Sequence, residues 1–130
     1  DELFDRADHV GVYAPLTDAT RGMVDADALA RLDEHSVLVN VSRGPVVDDD
    51  ALLDALEADV IKGAGLDVLA EEPPKGDPLV GRPDTIVTPH TAWYSEEARD
   101  DLNRSGAADL AAVFNGEMPD GRVDPDADWL

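Results

Sequence analysis

The amino-acid sequence predicts an α/β fold with a parallel sheet, and two observations support this. Short apolar runs alternate with helix-like segments through the first hundred of the 130 residues. Such alternation is typical of strand–helix–strand units, in which consecutive strands are parallel. The run at 37–42 is almost continuously apolar, as expected of a parallel strand that is covered on both faces. A longer helical pattern at 96–115 follows the last strand and closes this region.

Four strands are predicted from these apolar runs, at 9–14, 37–42, 64–68 and 85–88. Each strand is followed, at once or after a short segment, by a residue that interrupts regular structure. These residues are Pro15, Gly44, Pro73 and Pro89. Four strands make half of a typical doubly wound sheet, so the other half is expected upstream. The chain begins with Asp1 instead of Met, and we therefore expect it to be incomplete.

Helices are predicted where a capping side chain precedes apolar residues at helical spacing. Residues 1–8 form the end of one helix, and the caps of the others are Asp25, Asp48 or Asp49, and Ser95. The last helix is predicted to bury a stripe made of Leu102, Gly106, Leu110, Val113 and Phe114. Gly116 is expected to end it. We therefore predict one domain at 1–116 and a polar tail at 117–130, which finishes with Trp129 and Leu130.

The composition excludes several classes of function. The chain carries 30 acidic and 10 basic residues, for a formal net charge of −20. Such a charge repels nucleic acids and anionic membranes, and its spread along the chain leads us to expect a halophilic source. The sequence has no cysteine, which excludes disulfides and thiolate metal sites. It has no run approaching the ~20 apolar residues of a membrane span, and a cytoplasmic location is expected.

Four polar residues follow the predicted strands and are expected to converge on one crevice, at the edge where open α/β sheets bind ligands. They are Arg43, Asp67, Glu72 and His90. A guanidinium such as that of Arg43 can bind a carboxylate through two parallel hydrogen bonds. A histidine such as His90 can act as a general acid or base near neutral pH, and an adjacent Glu72 would favour its imidazolium form. Asp67 can accept a hydrogen bond from an amide of a bound ring.

Each of these residues also has an ordinary structural explanation. Arg43 can form a salt bridge, His90 can bond to the backbone, and Glu72 can be a solvated acid like its neighbour Glu71. The placement of all three after a strand and a break favours a shared function. Other chemistry is excluded, because the histidines lack metal-ligand spacing and Ser42 lacks the Gly-x-Ser-x-Gly elbow of a hydrolase. The sequence also has no Gly-x-Gly-x-x-Gly phosphate turn.

Together these segments resemble the D-isomer-specific 2-hydroxyacid dehydrogenases, which are NAD-dependent enzymes with a split substrate domain around a Rossmann domain. The resemblance extends from about residue 7 to 115. It is carried by Ala14-Pro15-Leu16-Thr17 with Thr20, Val39-Asn40-Val41-Ser42-Arg43-Gly44, Gly65-Leu66-Asp67-Val68 with Glu72-Pro73, and Thr88-Pro89-His90. The segment His90-Thr91-Ala92-Trp93-Tyr94-Ser95-Glu96 is similar to the C-terminal-binding-protein-like and phosphoglycerate-dehydrogenase-like branch.

The resemblance implies a fold, a cofactor and a set of site residues. The chain would be the C-terminal half of a doubly wound Rossmann-type sheet that ends in a long helix, with NAD, or alternatively NADP, as cofactor. The catalytic Arg, Glu and His of the family fall on Arg43, Glu72 and His90. Its cofactor contacts fall on Ala14, Thr20, Val41, Ser42, Arg43, Asp67, His90, Thr91, Ala92 and Trp93. The implied partners are a small 2-oxo or 2-hydroxy acid and a second copy of the full-length chain.

The implied reaction is hydride transfer between the nicotinamide and C2 of the acid. Arg43 would hold the carboxylate, His90 with Glu72 would deliver the proton, and Asp67 would position the carboxamide of the nicotinamide. The glycine-rich turn, the acidic residue that binds the ribose and the amino-terminal part of the substrate domain are absent, and Tyr13 replaces a usual His. An NAD(H)-sensing module, an inactive truncated product and a ligand-free interaction domain therefore remain alternatives.

Overall fold

The structure, a computed structural model, describes residues 2–124 of the chain. Its strands are β1 (His9–Val12), β2 (Val37–Asn40), β3 (Gly63–Leu66) and β4 (Thr85–Val87). Its helices are α1 (Glu2–Arg6), α2 (Ala26–Leu29), α3 (Asp49–Glu57) and α4 (Glu96–Phe114), with a 3-10 turn at Gly44–Val46. All four predicted strands are present, and each ends one or two residues earlier than predicted.

The four strands form one parallel sheet in the order β1-β2-β3-β4. The predicted fold class is therefore confirmed. Small residues on β3 allow close pairing, since a Cβ on Gly63 would lie 2.6 Å from the carbonyl oxygen of Asp84. Glycine at this position lets the loop before β4 approach β3 directly.

The core beside the sheet is aliphatic and extends under α2 and α3. Its largest fully buried members are Leu29, Leu38, Leu52, Leu79, Val24 and Val46. The buried polar residues are Ser36, Asn40 and Asp67. Among residues 2–124 every buried polar side-chain atom has a hydrogen-bond partner, which is the usual condition for burying such groups. Asn40 and Asp67 both lie where a strand ends, so their partners belong to the loops of the candidate site.

The predicted helix caps are confirmed. The side chains of Asp25, Asp48 and Ser95 accept hydrogen bonds from the third backbone N–H after each of them, at 2.9, 3.1 and 3.0 Å. Gly116, with φ of 73°, follows the last residue of the α4 cap. A left-handed glycine at this position is a common helix end.

The chain divides into two compact units, Asp1–Ala92 and Trp93–Leu130. The second contains α4, in which no residue is buried. The stripe predicted on α4 is therefore wrong as a buried stripe, because helical spacing shows which face can be covered and not what covers it. Trp129 and Leu130 lie outside the described residues, and the predicted boundary at 116 stays a prediction. Within residues 2–124 none of the helices has the length and apolarity that crossing a membrane requires.

Candidate active site

The loops after β2, β3 and β4 leave the sheet at one edge, because the three strands are parallel. Arg43 follows β2, Asp67 and Glu72 follow β3, and His90 follows β4. This edge is the usual ligand-binding edge of an open parallel sheet. All four residues therefore follow strands at this edge, but the prediction that they converge on one crevice is wrong, because Arg43 lines a different cleft from Asp67, Glu72 and His90.

His90 and Glu72 come into contact as predicted. Nδ1 of His90 lies 2.8 Å from Oε2 of Glu72, while Oε1 of Glu72 accepts from the backbone N–H of Leu69 at 3.0 Å. The hydrogen bond with His90 lowers the pKa of Glu72 below its ordinary value; desolvation opposes this shift and the bond from Leu69 adds to it. Glu72 is therefore ionised at neutral pH, and because a carboxylate only accepts, Nδ1 of His90 carries a hydrogen.

The backbone of His90 is held in an unusual conformation. Its φ is 53°, in the left-handed region that side chains other than glycine rarely adopt. Such a residue costs on the order of 1–3 kcal/mol and persists only where the surroundings enforce it. Here the backbone N–H of His90 donates to the carbonyl oxygens of Asp67 and Thr88, at 2.9 and 3.0 Å. These two hydrogen bonds therefore hold His90 in a strained backbone conformation, which sets the position of its ring.

Asp67 is 5% exposed and its carboxylate organises the loop that carries His90. Oδ1 accepts from the hydroxyl of Thr88 at 2.5 Å and from the N–H of Thr91 at 2.9 Å. Oδ2 accepts from the N–H of Ala92 at 2.8 Å. Burial raises the pKa of Asp67, but these three hydrogen bonds and the nearby His90 prevail, so the pKa lies below its ordinary value. Three of the roughly four acceptor positions of the carboxylate are used inside the chain.

Asn40 organises the loop that carries Arg43. The side chain is 1% exposed, its Nδ2 donates to the carbonyl of Arg43 at 3.0 Å, and its Oδ1 accepts from the N–H and the hydroxyl of Ser42. Gly44 then passes against the Leu69 backbone, where a Cβ would lie 2.1 Å from the carbonyl of Leu69. The Arg43 loop and the loop that carries Glu72 are therefore packed backbone to backbone.

The structure does not bring the Arg43 side chain into contact with Glu72 or His90. Its guanidinium donates to the carbonyl of Ser42 at 2.7 Å and forms no ion pair with a carboxylate of residues 2–124. The salt-bridge alternative for Arg43 is therefore not realised. Glu72 and His90 line a largely apolar cavity of about 520 Å³. Arg43 lines a separate cleft of about 430 Å³, together with residues 13–16, Val41 and Ser42.

Of the residues predicted to contact a cofactor, Asp67 and His90 line the 520 Å³ cavity, and the others fall into three groups. Ala14, Val41, Ser42 and Arg43 line the 430 Å³ cleft. Thr20 donates to the carbonyl of Pro15 at 2.6 Å and so shapes the loop after β1. Thr91 and Ala92 donate to Asp67, and Trp93, in the second unit, stacks edge-on with Tyr94 at 5.5 Å. An open cleft and a cavity at this edge fit the nicotinamide end of a dinucleotide, while the sequence provides no glycine-rich turn for its pyrophosphate.

Sequence analysis missed the roles of Asn40 and Thr88. For Asn40 a signal was present, because a polar residue at the end of an apolar strand must find partners nearby. Thr88 also ends a predicted strand, but its acceptor lies 21 residues earlier in the chain, so no local pattern could identify it.

Comparisons with known proteins agree with this geometry. Residues 1–92 match the family model described as D-isomer specific 2-hydroxyacid dehydrogenase, NAD binding domain. The glyoxylate reductase of Korarchaeum cryptofilum is 40% identical over 120 residues, which cover 92% of this chain and 36% of that protein. The chain spans about a third of the length of the curated relatives it matches.

Solved structures give the same answer. D-lactate dehydrogenase with NAD+ from Lactobacillus jensenii superimposes with a TM-score of 0.84 and 31% identity, over 95% of this chain and 41% of that one. A D-isomer specific 2-hydroxyacid dehydrogenase from Xanthobacter autotrophicus Py2, in complex with NADPH and MES, superimposes with a TM-score of 0.81 and 36% identity. It is covered over 51% of its length by 95% of this chain.

Proposed function

We propose a dehydrogenase function for this chain, because it belongs to the D-isomer specific 2-hydroxyacid dehydrogenase family through the NAD-binding domain of that family. The proposed reaction is the reversible reduction of a small 2-oxo acid to a D-2-hydroxy acid with NADH or NADPH. The observation that carries this proposal is the hydrogen bond between His90 and Glu72 at the ligand-binding edge of the sheet. Glyoxylate, hydroxypyruvate and pyruvate are the first substrates to test, given the names of the relatives.

His90 is the proposed proton donor. A bound nicotinamide cofactor supplies the hydride and accepts it in the reverse reaction. Because Nδ1 of His90 faces Glu72, Nε2 is the nitrogen that gives its proton to the forming hydroxyl group. The ionised carboxylate of Glu72 accepts from Nδ1–H and so fixes the orientation of the ring for this step. In the oxidation direction, neutral His90 takes the proton from the hydroxyl.

Arg43 is the proposed anchor for the substrate carboxylate. Its guanidinium has two N–H edges that match a carboxylate, and it has no acidic partner among residues 2–124. Asn40 fixes its backbone, so the side chain starts from a defined point. Asp67 has one acceptor position left for the carboxamide of the nicotinamide. The further proposed cofactor contacts are Ala14, Thr20, Val41, Ser42, Thr91, Ala92 and Trp93.

The proposal extends to organisation and partners. We propose that residues 1–116 belong to one dinucleotide-binding domain, that the full-length protein is a homodimer in the cytoplasm, and that it binds neither nucleic acid nor membrane. The net charge of −20 supports the last point, since both kinds of surface are anionic.

The test is a reductase assay on the gene product that carries this chain. NADH and NADPH are each supplied with glyoxylate, hydroxypyruvate or pyruvate, at low and at molar KCl, and the handedness of the product is determined by chiral chromatography. We expect oxidation of the cofactor that depends on the 2-oxo acid, with a D-product where the product is chiral. Cofactor binding without turnover of any acid would favour the sensing module, and the absence of both would overturn the proposal.

A further inference from the structure

We propose that Thr88 and Asp67 act together as positioning residues, which hold His90 in the conformation that places its ring against Glu72. We call these two residues the His90 lock. The inference deepens the proposed function and rests on it for the catalytic part of the test. The structural part of the test stands alone.

The lock encloses His90 from both sides along the chain. Thr88 donates its hydroxyl to Oδ1 of Asp67 two residues before His90. Thr91 and Ala92 donate their N–H groups to the same carboxylate one and two residues after it. Three donors that bracket one residue and converge on one carboxylate leave that residue few backbone conformations.

The lock is attached to the sheet. The N–H of Asp67 donates to the carbonyl of Asn40 at 2.9 Å, and the N–H of Thr88 donates to the carbonyl of Leu66 at 2.9 Å. Asp67 is also 5% exposed. Asp67 therefore connects the ends of β2 and β3 to the turn in which His90 adopts a φ of 53°, and restricts the movement of that turn.

The chemistry of the lock explains why it needs a carboxylate and a hydroxyl. All three partners of the Asp67 side chain donate, and only an ionised carboxylate offers two acceptor atoms and no donor. An asparagine would turn an NH₂ group toward at least one of the donors. Thr88 itself is exposed, so removing its hydroxyl opens no cavity in the core.

A positioning role differs from simple stabilisation of the loop. Glu72 approaches His90 from a separate loop, 18 residues earlier in the chain. Its contribution to turnover therefore depends on the orientation of the ring. If the lock sets that orientation, the effects of Thr88→Val and Glu72→Gln on kcat are not independent, and the double variant loses less than the product of the single losses.

The experiment compares Thr88→Val with Thr88→Ser in the gene product that carries this chain. Valine matches the shape of threonine without the hydroxyl, and serine keeps the hydroxyl. In Thr88→Val we expect amide hydrogen exchange at Thr91 and Ala92, measured by NMR, to rise at least 10-fold. We expect kcat to fall roughly 10- to 100-fold, as for a misplaced catalytic group, with KM for the cofactor unchanged. Thr88→Ser should restore exchange and kcat to within about 3-fold of the parent.

The matched control is Thr85→Val. It removes a hydroxyl from the other end of β4, where Thr85 donates to the carbonyl of Leu79 at 2.6 Å. We expect it to leave exchange at Thr91 and Ala92 and kcat unchanged. Parent-like exchange and kcat in Thr88→Val, an equal loss in Thr85→Val, or independent effects of Thr88→Val and Glu72→Gln would each overturn the lock. If the parent reduces no 2-oxo acid, the proposed function fails, while the exchange data still decide whether the lock exists.

Discussion

The Arg43 loop and the His90 loop each hold a candidate site residue at the end of a parallel strand, but they fix its side chain to different degrees. Each follows a parallel strand, and each is folded around one buried polar side chain, Asn40 in the first and Asp67 in the second. The His90 ring is held by Glu72, whereas the Arg43 guanidinium has, among residues 2–124, one hydrogen-bond partner, the carbonyl of Ser42. If His90 is the acid–base group and Arg43 the substrate anchor, as proposed, the chain holds the first in place with its own carboxylate and leaves the second for the substrate to orient.

The type of each buried residue follows from what its partners do. Asn40 meets a carbonyl and an N–H in its loop, so it needs both a donor and an acceptor. The partners of the Asp67 carboxylate within residues 2–124 are all donors, so it needs acceptors alone. Because an amide and a carboxylate have nearly the same shape, exchanging them keeps the packing and changes the hydrogen bonding and the charge.

The largest expected effect is that of His90→Gln on turnover. If His90 is the proton donor, the variant should lose roughly 10²–10⁴-fold in kcat for 2-oxo acid reduction. KM for the cofactor should change little. The measurement is steady-state kinetics with NADH, and the matched control is His35→Gln, which changes an exposed histidine in the loop between α2 and β2. If the turnover of His90→Gln stays within a factor of three of the parent, His90 is not the general acid.

The proposed role of Arg43 in binding the substrate carboxylate is tested by Arg43→Lys. Lysine keeps the charge and loses the two parallel N–H edges, so KM for the 2-oxo acid should rise roughly 10- to 100-fold, the range expected for a charged hydrogen bond. Stability should not change, because the guanidinium is exposed and, within the described part of the chain, is hydrogen-bonded to one neighbouring carbonyl. Arg21→Lys, at another exposed arginine, is the control. A drop in thermal stability with an unchanged KM would mean that Arg43 is structural.

How far the sequence could lead differs between the same two loops. The four strands, their parallel arrangement, the helix caps and the sheet edge at which the candidate residues lie follow from local apolar runs and capping residues, and these predictions were confirmed. The bonds of Asn40 reach two or three residues along the chain and were within range of such reasoning. Those of Asp67 reach 21 to 25 residues. Their existence depends on the pairing of β3 with β4, which brings two distant segments together, and no local pattern encodes that.

The α4 stripe shows the same limit. Its apolar spacing predicted a helix correctly, and the structure leaves Leu102 and Phe114 65% and 87% exposed. Periodicity reports the geometry of one element. Burial is a property of two elements, so only the helix could be predicted with the information at hand.

Asn40→Asp and Asp67→Asn should each lower the free energy of unfolding, and by similar amounts. Asn40→Asp places a carboxylate against the carbonyl of Arg43, and Asp67→Asn places an NH₂ group against N–H donors. Each leaves buried groups unpaired, at a cost of about 1–2 kcal/mol in the free energy of unfolding. Urea unfolding of the gene product measures both, and Asp50→Asn on the exposed side of α3 is the control. If Asn40→Asp is neutral, the Arg43 loop is not organised by Asn40 and the parallel between the loops fails.

The smallest effect concerns the pH dependence that Glu72 gives to stability. Its pKa is lowered in the folded chain by the hydrogen bond with His90. A carboxylate with a lowered folded-state pKa contributes stability that is fully present above its unfolded-state pKa, about 4.3, and that is lost as the pH falls through the folded-state value. Glu72→Gln should therefore lower the melting temperature at pH 6 to 7, and the difference from the parent should shrink below about pH 4.

The size of this effect is limited by solvent. The side chains of His90 and Glu72 are 41% and 37% exposed, so screening reduces the contribution of the pair, and we expect a change of only about 1–3 °C. Glu71→Gln is the matched control, because Glu71 lies next in the chain and its partner, Lys75, is 4.0 Å away at the surface. A melting-temperature difference for Glu72→Gln that stays constant from pH 7 to pH 3 would mean that the carboxylate charge is not what holds the pair. The arrangement of His90 and Glu72 would then depend on the bond from Leu69 and on the backbone of His90. The difference between the two loops would then come from the His90 lock and not from the Glu72 charge.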